Sequence, residues 1–301
     1  MDRLHAMNVF VAVADAGSFS KAAEKLRLSA PAVTRAVASL EDRLRIRLFN
    51  RSTRQVKLTE AGASYLENCR RILADIEAAD NLASGARQIP RGHLRVTTSI
   101  TFGRLCLTPI VQSYLATHPQ VTASVYCYDR YVSLLDEGMD IAVRLGELDD
   151  SSMIARRVGE VRRMLIASPD YIAKHGAPTH PDQLADHKII GFSGLSPRHD
   201  WPMMIDGNKV NTTVRPTLAV NDFLAVVEAV KSGQGIAIAQ SYAVADECKA
   251  GRLVSILDEF MQIRSPVHLV YPENRLLSAK SRTFMDFAAP RLREWLDARH
   301  I

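Results

Sequence analysis

Between Phe19 and Glu41 two stretches of helical pattern are joined by only three residues, Arg27, Leu28 and Ser29. A link that short makes the helices cross steeply, as in a helix-turn-helix. The local chemistry supports it. Ser18 and Ser20 offer side-chain oxygens to cap KAAEKL. Ser29 can cap the following helix, and Pro31 suits its first turn, where a missing N–H costs nothing. Ala22, Ala23, Leu26, Leu28, Val33 and Val37 are the expected interdigitating positions, with Ala23 small where the helices cross. The glycine usual in such a turn is absent, and Arg27 takes its place. A preceding helix is expected from Leu4, Met7, Val9, Phe10, Val11 and Val13, ending near Gly17.

Charge is distributed to match. Residues 1–58 hold 11 lysines and arginines against five acids, whereas the other 243 residues hold 27 basic and 28 acidic groups. The excess positive charge therefore sits in one small unit, as phosphate neutralisation requires. Ser29, Pro31, Ala32, Thr34 and Arg35 occupy the N-terminal end of the third helix, the end that enters a major groove in helix-turn-helix proteins. Small residues allow close approach, Thr34 can touch a phosphate or a base edge, and Arg35 can reach a guanine or a phosphate. Most isolated arginines are simply solvated, and here the charge segregation and the short turn argue for double-stranded DNA as the partner.

The next segment, LRIRLFNRSTRQVKLTEAG, interleaves Arg45, Arg47, Arg51, Arg54 and Lys57 with Ile46, Leu48, Phe49, Val56 and Leu58. It reads as a basic β-wing turning at Ser52 and Thr53, with Arg51, Arg54 and Lys57 set for the phosphate backbone. A long helix starts at Thr59, where Glu60 suits the positive end of the helix dipole. Tyr65, Cys69, Ile72, Ile76, Ala79, Ala83 and Ala86 then follow at alternating spacings of four and three. That is a heptad seam, for which a second copy of the chain is the economical partner. SGARQIPRGH breaks the helix as a hinge.

This order of motifs resembles the N-terminal half of LysR-type transcriptional regulators, and TFGRL, DIAVRLGELDDSSMIARRVG, ASPDYIAKHG and GIAIAQ extend the resemblance over nearly the whole chain. The family's common GIALLP ending is GIAIAQ here, with Gln240 in place of proline, which puts the shape of one cleft wall in question. The resemblance implies an α/β chain with an N-terminal, otherwise all-α, winged helix-turn-helix and a C-terminal two-subdomain, periplasmic-binding-protein-like α/β fold. It implies a DNA-binding domain at 1–58, a dimerisation helix and hinge at 59–92, and an effector domain at 93–301. Within that domain subdomain I would comprise 93–161 and 266–301, and subdomain II 162–265. The implied partners are operator DNA, a small aromatic or acidic effector, further copies of the chain in a homodimer or homotetramer, and RNA polymerase, with no cofactor and no membrane.

From His93 onward short apolar runs alternate with helical stretches. HLRVTTS, VTASVYCY, DIAVRLG, RRMLIASP, KIIGFS, TLAVND, GIAIAQ and PVHLVYP read as strands, and PIVQSYLATH, YVSLLDEG and FLAVVEAVKSG as helices. Such alternation predicts βαβ units and largely parallel sheets. Ligands in these sheets sit beyond the carboxyl ends of strands. That places Ser99, Thr101 and the adjoining Phe102, Arg144 and Gly146, Phe192 and Ser193, and Asn221 and Asp222 as candidate effector contacts. Asp222 serves equally well as a helix cap, and Arg144 equally well as partner to an internal carboxylate.

Other classes find little support. There is no G-x-S-x-G, H-E-x-x-H or P-loop, and the nine histidines are dispersed with no metal-ligand spacing, so no enzyme is expected. SGQG is better read as a helix end turning into a strand. The four cysteines lie more than 20 residues apart and read as reduced thiols. No apolar run reaches membrane-span length, and acids at positions 2 and 15 argue against a signal peptide, so a cytoplasmic location is expected. A pure solute-binding protein would leave the basic N-terminal unit unexplained.

Overall fold

The computed structural model describes residues 2–51, 56–84, 89–148, 153–193, 200–273 and 277–299. The chain divides into two compact units, Met1–Ile89 with Arg275–Ala279, and Pro90–Asn274 with Lys280–Ile301.

The N-terminal unit is built from α1 (Arg3–Ala16), α2 (Phe19–Leu26), α3 (Ala30–Leu44), β1 (Phe49–Arg51), β2 (Val56–Leu58) and α4 (Glu60–Ser84). Each early boundary has a local cause. Gly17 ends α1 in the left-handed region at φ 59°, and the Ser18 hydroxyl accepts from the Lys21 N–H to start α2. Arg27 closes α2 at φ 54°, and its N–H donates back to the carbonyl oxygens of Ala23 and Glu24. A residue with a Cβ pays roughly 1–2 kcal/mol for that conformation, which is why glycine is common there. Ala22, Ala23, Val33 and Val37 are buried, with Leu26 and Leu28 half-buried around them. An aromatic cluster ties the elements together. Phe10 of α1 meets Phe49 of β1 at 5.2 Å and Tyr65 of α4 at 5.7 Å, and Phe19 stands edge-on to Phe49 at 5.7 Å.

The C-terminal unit contains β3 (Gly92–Thr98), α5 (Ile100–Phe102), a π-helical turn (Gly103–Leu107), α6 (Thr108–Thr117), β4 (Val121–Cys127), β5 (Ile141–Leu145), β6 (Met153–Ala167) and α7 (Pro169–His175). It continues with β7 (Ile190–Phe192), β8 (Asp200–Ile205), β9 (Asn208–Thr213), β10 (Leu218–Val220), α8 (Phe223–Lys231), β11 (Ala237–Gln240), α9 (Ser241–Lys249), β12 (Val254–Ile256), β13 (Arg264–Pro272) and α10 (Ala279–Asp297).

The sheets are mixed rather than largely parallel. Strand order is β11-β6-β13-β5-β3-β4, with β12 also on β6. β3 runs parallel to β4 and β5, and β7 to β10, but β13 is antiparallel to both β5 and β6. The reason is connectivity. The chain passes from one lobe to the other along the long strand β6 and returns beside it along β13, so the two must run in opposite directions. The first half of β6 pairs with β13, and its last residues pair with β11 and β12 of the other lobe.

The helix expected at YVSLLDEG is absent. Residues 134–138 make one turn, with the Glu137 N–H donating to the Ser133 carbonyl, and Gly138 at φ 66° closes it. One turn bears the full nucleation cost without propagation to offset it. The hairpin β8–β9 had no counterpart in the sequence reading. SGQG ends α8, with Gly233 at φ 74°, and turns into β11.

Candidate nucleic-acid interface and ligand cavity

Ser29, Pro31, Thr34 and Arg35 are exposed along the first turns of α3, with Ala32 half-buried between them. The Ser29 hydroxyl accepts from the Ala32 N–H at 3.3 Å, so it is engaged as a cap. The Thr34 hydroxyl donates to the Ala30 carbonyl at 3.0 Å. Its lone pairs stay free to accept, whereas donation to a phosphate would require giving up the Ala30 bond. Arg35 is exposed and, among the described residues, makes no hydrogen bond or ion pair.

The wing is anchored near the other end of α3, through Glu41. β1 and β2 pair antiparallel, with Phe49 opposite Leu58 and Asn50 opposite Lys57. Lys57 is exposed. Arg54, the turn residues Ser52 and Thr53, and the Arg51 side chain lie outside the described residues.

Two contacts absent from the sequence reading fix the wing to the helices. Glu41, only 3% exposed, accepts from the Leu48 N–H at 2.8 Å and the Phe49 N–H at 3.2 Å, and pairs with the exposed Arg47 at 3.2 Å. Thr59 caps α4, its hydroxyl accepting from the Gly62 N–H and donating to the Arg47 carbonyl, both at 2.8 Å.

The heptad seam divides. Cys69 is fully buried in the core of its own unit, and Tyr65 and Ile72 pack half-buried against that core. Arg70 of α4 pairs with Asp15 of α1. The first turns of α4 are thus consumed inside the chain, because the aromatic cluster needs a cover. Ile76 is half-buried and stands outside that cluster. The side chains of Ala79 and Ala83, and all of Ala86, lie outside the described residues.

In the C-terminal unit a cavity of about 500 Å³ opens where strand ends from both lobes meet, a size suited to a small molecule. One wall carries Thr97 and Thr98 at the end of β3, Ser99 and Thr101 on the turn into α5, Arg144, Leu145 and Gly146 around the end of β5, and the segment Tyr128–Val132. The opposite wall carries Arg163 of β6, Phe192 of β7, Trp201 of β8, Phe223 of α8, Gln240 of β11 and Tyr242 of α9.

Ser99, Thr101, Arg144, Gly146 and Phe192 therefore share this cavity. Four candidates do not line it. Phe102 is fully buried behind the wall, edge-on to Tyr242 at 5.3 Å and to Trp295 at 5.6 Å, because an apolar ring one residue beyond Thr101 on a helix turns into the core. Asp222 caps α8, accepting from the Leu224 N–H at 2.8 Å and the Ala225 N–H at 3.3 Å. Asn221 and Ser193 are exposed outside the lining, and the Ser193 N–H donates to the Val220 carbonyl. Among the described residues Arg144 meets no carboxylate. It donates to the Val132 carbonyl at 2.5 Å and lies 4.2 Å from the Tyr131 ring centroid.

Arg163, Trp201, Gln240, Tyr242 and the 128–132 segment were missed from the sequence. Gln240 alone had left a trace, as the departure from a proline. Burial pushes up the Tyr242 hydroxyl pKa, with Ser99 beside it pulling the other way, so the group stays protonated. Burial also raises all four thiols, Cys106 to about 12, and none is bonded to another. Thiols held protonated in this way are poor nucleophiles. Among the described residues no helix is long and apolar enough to cross a membrane.

Two family models match: the bacterial regulatory helix-turn-helix protein, LysR family, over residues 4–63, and the LysR substrate binding domain over residues 87–293. The chain belongs to the LysR family. This regulator therefore pairs a DNA-binding helix-turn-helix with an effector-binding domain. It is 34% identical to the HTH-type transcriptional regulator CrgA of Neisseria meningitidis, over 95% of this chain and 96% of that one. It is 33% identical to an HTH-type transcriptional repressor of Pseudomonas aeruginosa (95% and 91% covered) and 30% identical to the transcriptional activator AaeR of Escherichia coli (93% and 91%). The solved structure of CrgA superposes with a TM-score of 0.62 at 32% identity, covering 96% of this regulator and 98% of CrgA. Full-length AphB, a virulence activator of Vibrio cholerae, superposes at 0.60 with 26% identity, over 96% and 98%.

Proposed function

We propose that this regulator reads its operator with Ser29, Pro31, Ala32, Thr34 and Arg35, and grips phosphates with the wing residues Arg51, Arg54 and Lys57. The observation that carries the reading is the exposed first turns of α3, where Arg35 makes no hydrogen bond or ion pair among the described residues. Domain roles follow as 1–58 for DNA, 59–92 for dimerisation and 93–301 for sensing. The sensor takes a small molecule in the cavity, against Ser99, Thr101, Arg144, Gly146 and Phe192. The protein acts without catalysis, in the cytoplasm. The test is Arg35→Ala. Loss of a guanine contact should weaken operator binding by about 1–3 kcal/mol while leaving binding to random DNA nearly unchanged. Equal losses on both, in gel shifts at matched salt, would demote Arg35 to a phosphate contact.

Pairing of two copies through α4 now rests on the part of the helix from Ile76 onward, since Tyr65, Cys69 and Ile72 are occupied within the chain. Sedimentation should return a dimer or tetramer, and Ile76→Asp should shift it toward monomer. A variant that keeps its assembly would place the interface elsewhere.

A further inference from the structure

Besides the buried Thr98 and Ser99 hydroxyls, which lack a hydrogen-bond partner among the described residues, two longer polar side chains in the cavity make no bond there. Arg163 and Gln240 are register partners on the antiparallel strands β6 and β11, so their side chains rise from the same face, roughly 5 Å apart at Cβ. Both line the cavity. Among the described residues the Arg163 guanidinium makes no hydrogen bond or ion pair, and the Gln240 amide makes none either, its Oε1 being wholly buried. Buried polar groups are rarely left in this condition, and a desolvated cation least of all.

The other charges on the walls are already answered. Arg130 is held by Glu137 at 2.7 and 3.0 Å, and Arg144 by the Val132 carbonyl and the Tyr131 ring. Asp129 accepts from the Ile100 N–H at 3.1 Å, and Asp200 from the Thr213 hydroxyl at 2.7 Å. Burial pulls Arg163 below its ordinary pKa, the signature of a cation lacking an anion beside it.

Resting on the reading of this cavity as the effector site, we infer that Arg163 and Gln240 together bind a carboxylate, and that the effector is an aromatic monocarboxylate. A guanidinium presents paired N–H donors that match the two oxygens of a carboxylate. The neighbouring amide can turn its NH2 to the same oxygens, since its two ends have nearly the same shape. Trp201, Phe192, Phe223 and Tyr242 line the same cavity, and aromatic rings are surfaces on which another ring stacks or meets edge to face. Asp129 and Asp200 stand on the same walls, and their negative charge disfavours a second acid group on the ligand.

The test uses the whole regulator and the fluorescence of Trp201, with W201F supplying the background from Trp295. Benzoate, phenylacetate and cinnamate are titrated beside their uncharged amides, each acid and amide being nearly the same shape. At least one acid should bind tenfold or more tightly than its amide. Arg163→Met should erase that preference by weakening the acid alone, and Gln240→Leu should weaken the acid severalfold. Arg163→Met should also melt no lower than the parent, because it removes a desolvated charge with no partner; a clear loss of melting temperature would make Arg163 a structural residue and overturn the inference. Equal binding of acid and amide, or an acid preference that survives Arg163→Met, would overturn the carboxylate assignment and leave the cavity as the effector site. Silence from acids and amides alike would overturn both.

Discussion

Replacing Gly62 with Ala should unfold the N-terminal unit and leave the C-terminal unit intact. Gly62 lies in the first turn of α4, where a Cβ would stand 2.0 Å from the Leu48 carbonyl oxygen and 2.9 Å from its carbon. Both neighbours are backbone, so no side-chain rotation relieves the clash. Leu48 is itself pinned, its N–H bound by Glu41 and its carbonyl accepting from the Thr59 N–H at 3.0 Å. Overpacking of this kind costs about 3 kcal/mol or more, a large share of the stability of a small unit. The measurement exploits an asymmetry, since both tryptophans, Trp201 and Trp295, are in the C-terminal unit. Their fluorescence transition should stay at the parent temperature, while part of the far-ultraviolet circular dichroism is lost at lower temperature and operator binding fails. Unchanged operator affinity would mean that α4 and the wing can separate without harm.

Glu41→Ala should have the second largest effect, about 2–4 kcal/mol, by leaving the Leu48 and Phe49 N–H groups buried and unpaired. The Arg47 pair adds little, since Arg47 is 74% exposed. Glu41→Gln separates the two contributions. One oxygen, Oε1, accepts both backbone bonds, and the amide oxygen can take its place, so Gln should recover all but about 1 kcal/mol. Denaturant unfolding followed by dichroism at fixed salt reads both variants. If Gln is as damaging as Ala, the charge itself, and not the acceptor, holds the wing.

The residues behind these two effects show where sequence reading stops. The helix-turn-helix was legible because its signals are local: Ser29 as a cap, Pro31 in the first turn and a link of three residues. The strands around the cavity were legible because short apolar runs between turn residues have few other uses. Glu41 carried no such signal. A glutamate late in a helix of no net charge looks like any solvated acid, and only the return of the chain at Leu48 buries it. The same limit explains the seam. Periodicity marked Tyr65, Cys69 and Ile72 as one apolar stripe, but whether a stripe faces a second copy or its own domain depends on where Phe10 and Phe49 stand, and that is a tertiary fact.

Patterns within some twenty residues announced a basic winged unit, a long helix and an α/β sensor, though not the antiparallel strands that make its sheets mixed. The tertiary structure alone decided which side chains share the cavity. Ser99 and Thr101 reach it because they follow a strand end, a rule visible in one dimension. Arg163 and Gln240 reach it because β6 crosses between the lobes and β11 pairs with it in one register. A shift of one residue would turn both side chains to the other face, and nothing local to either strand sets that register.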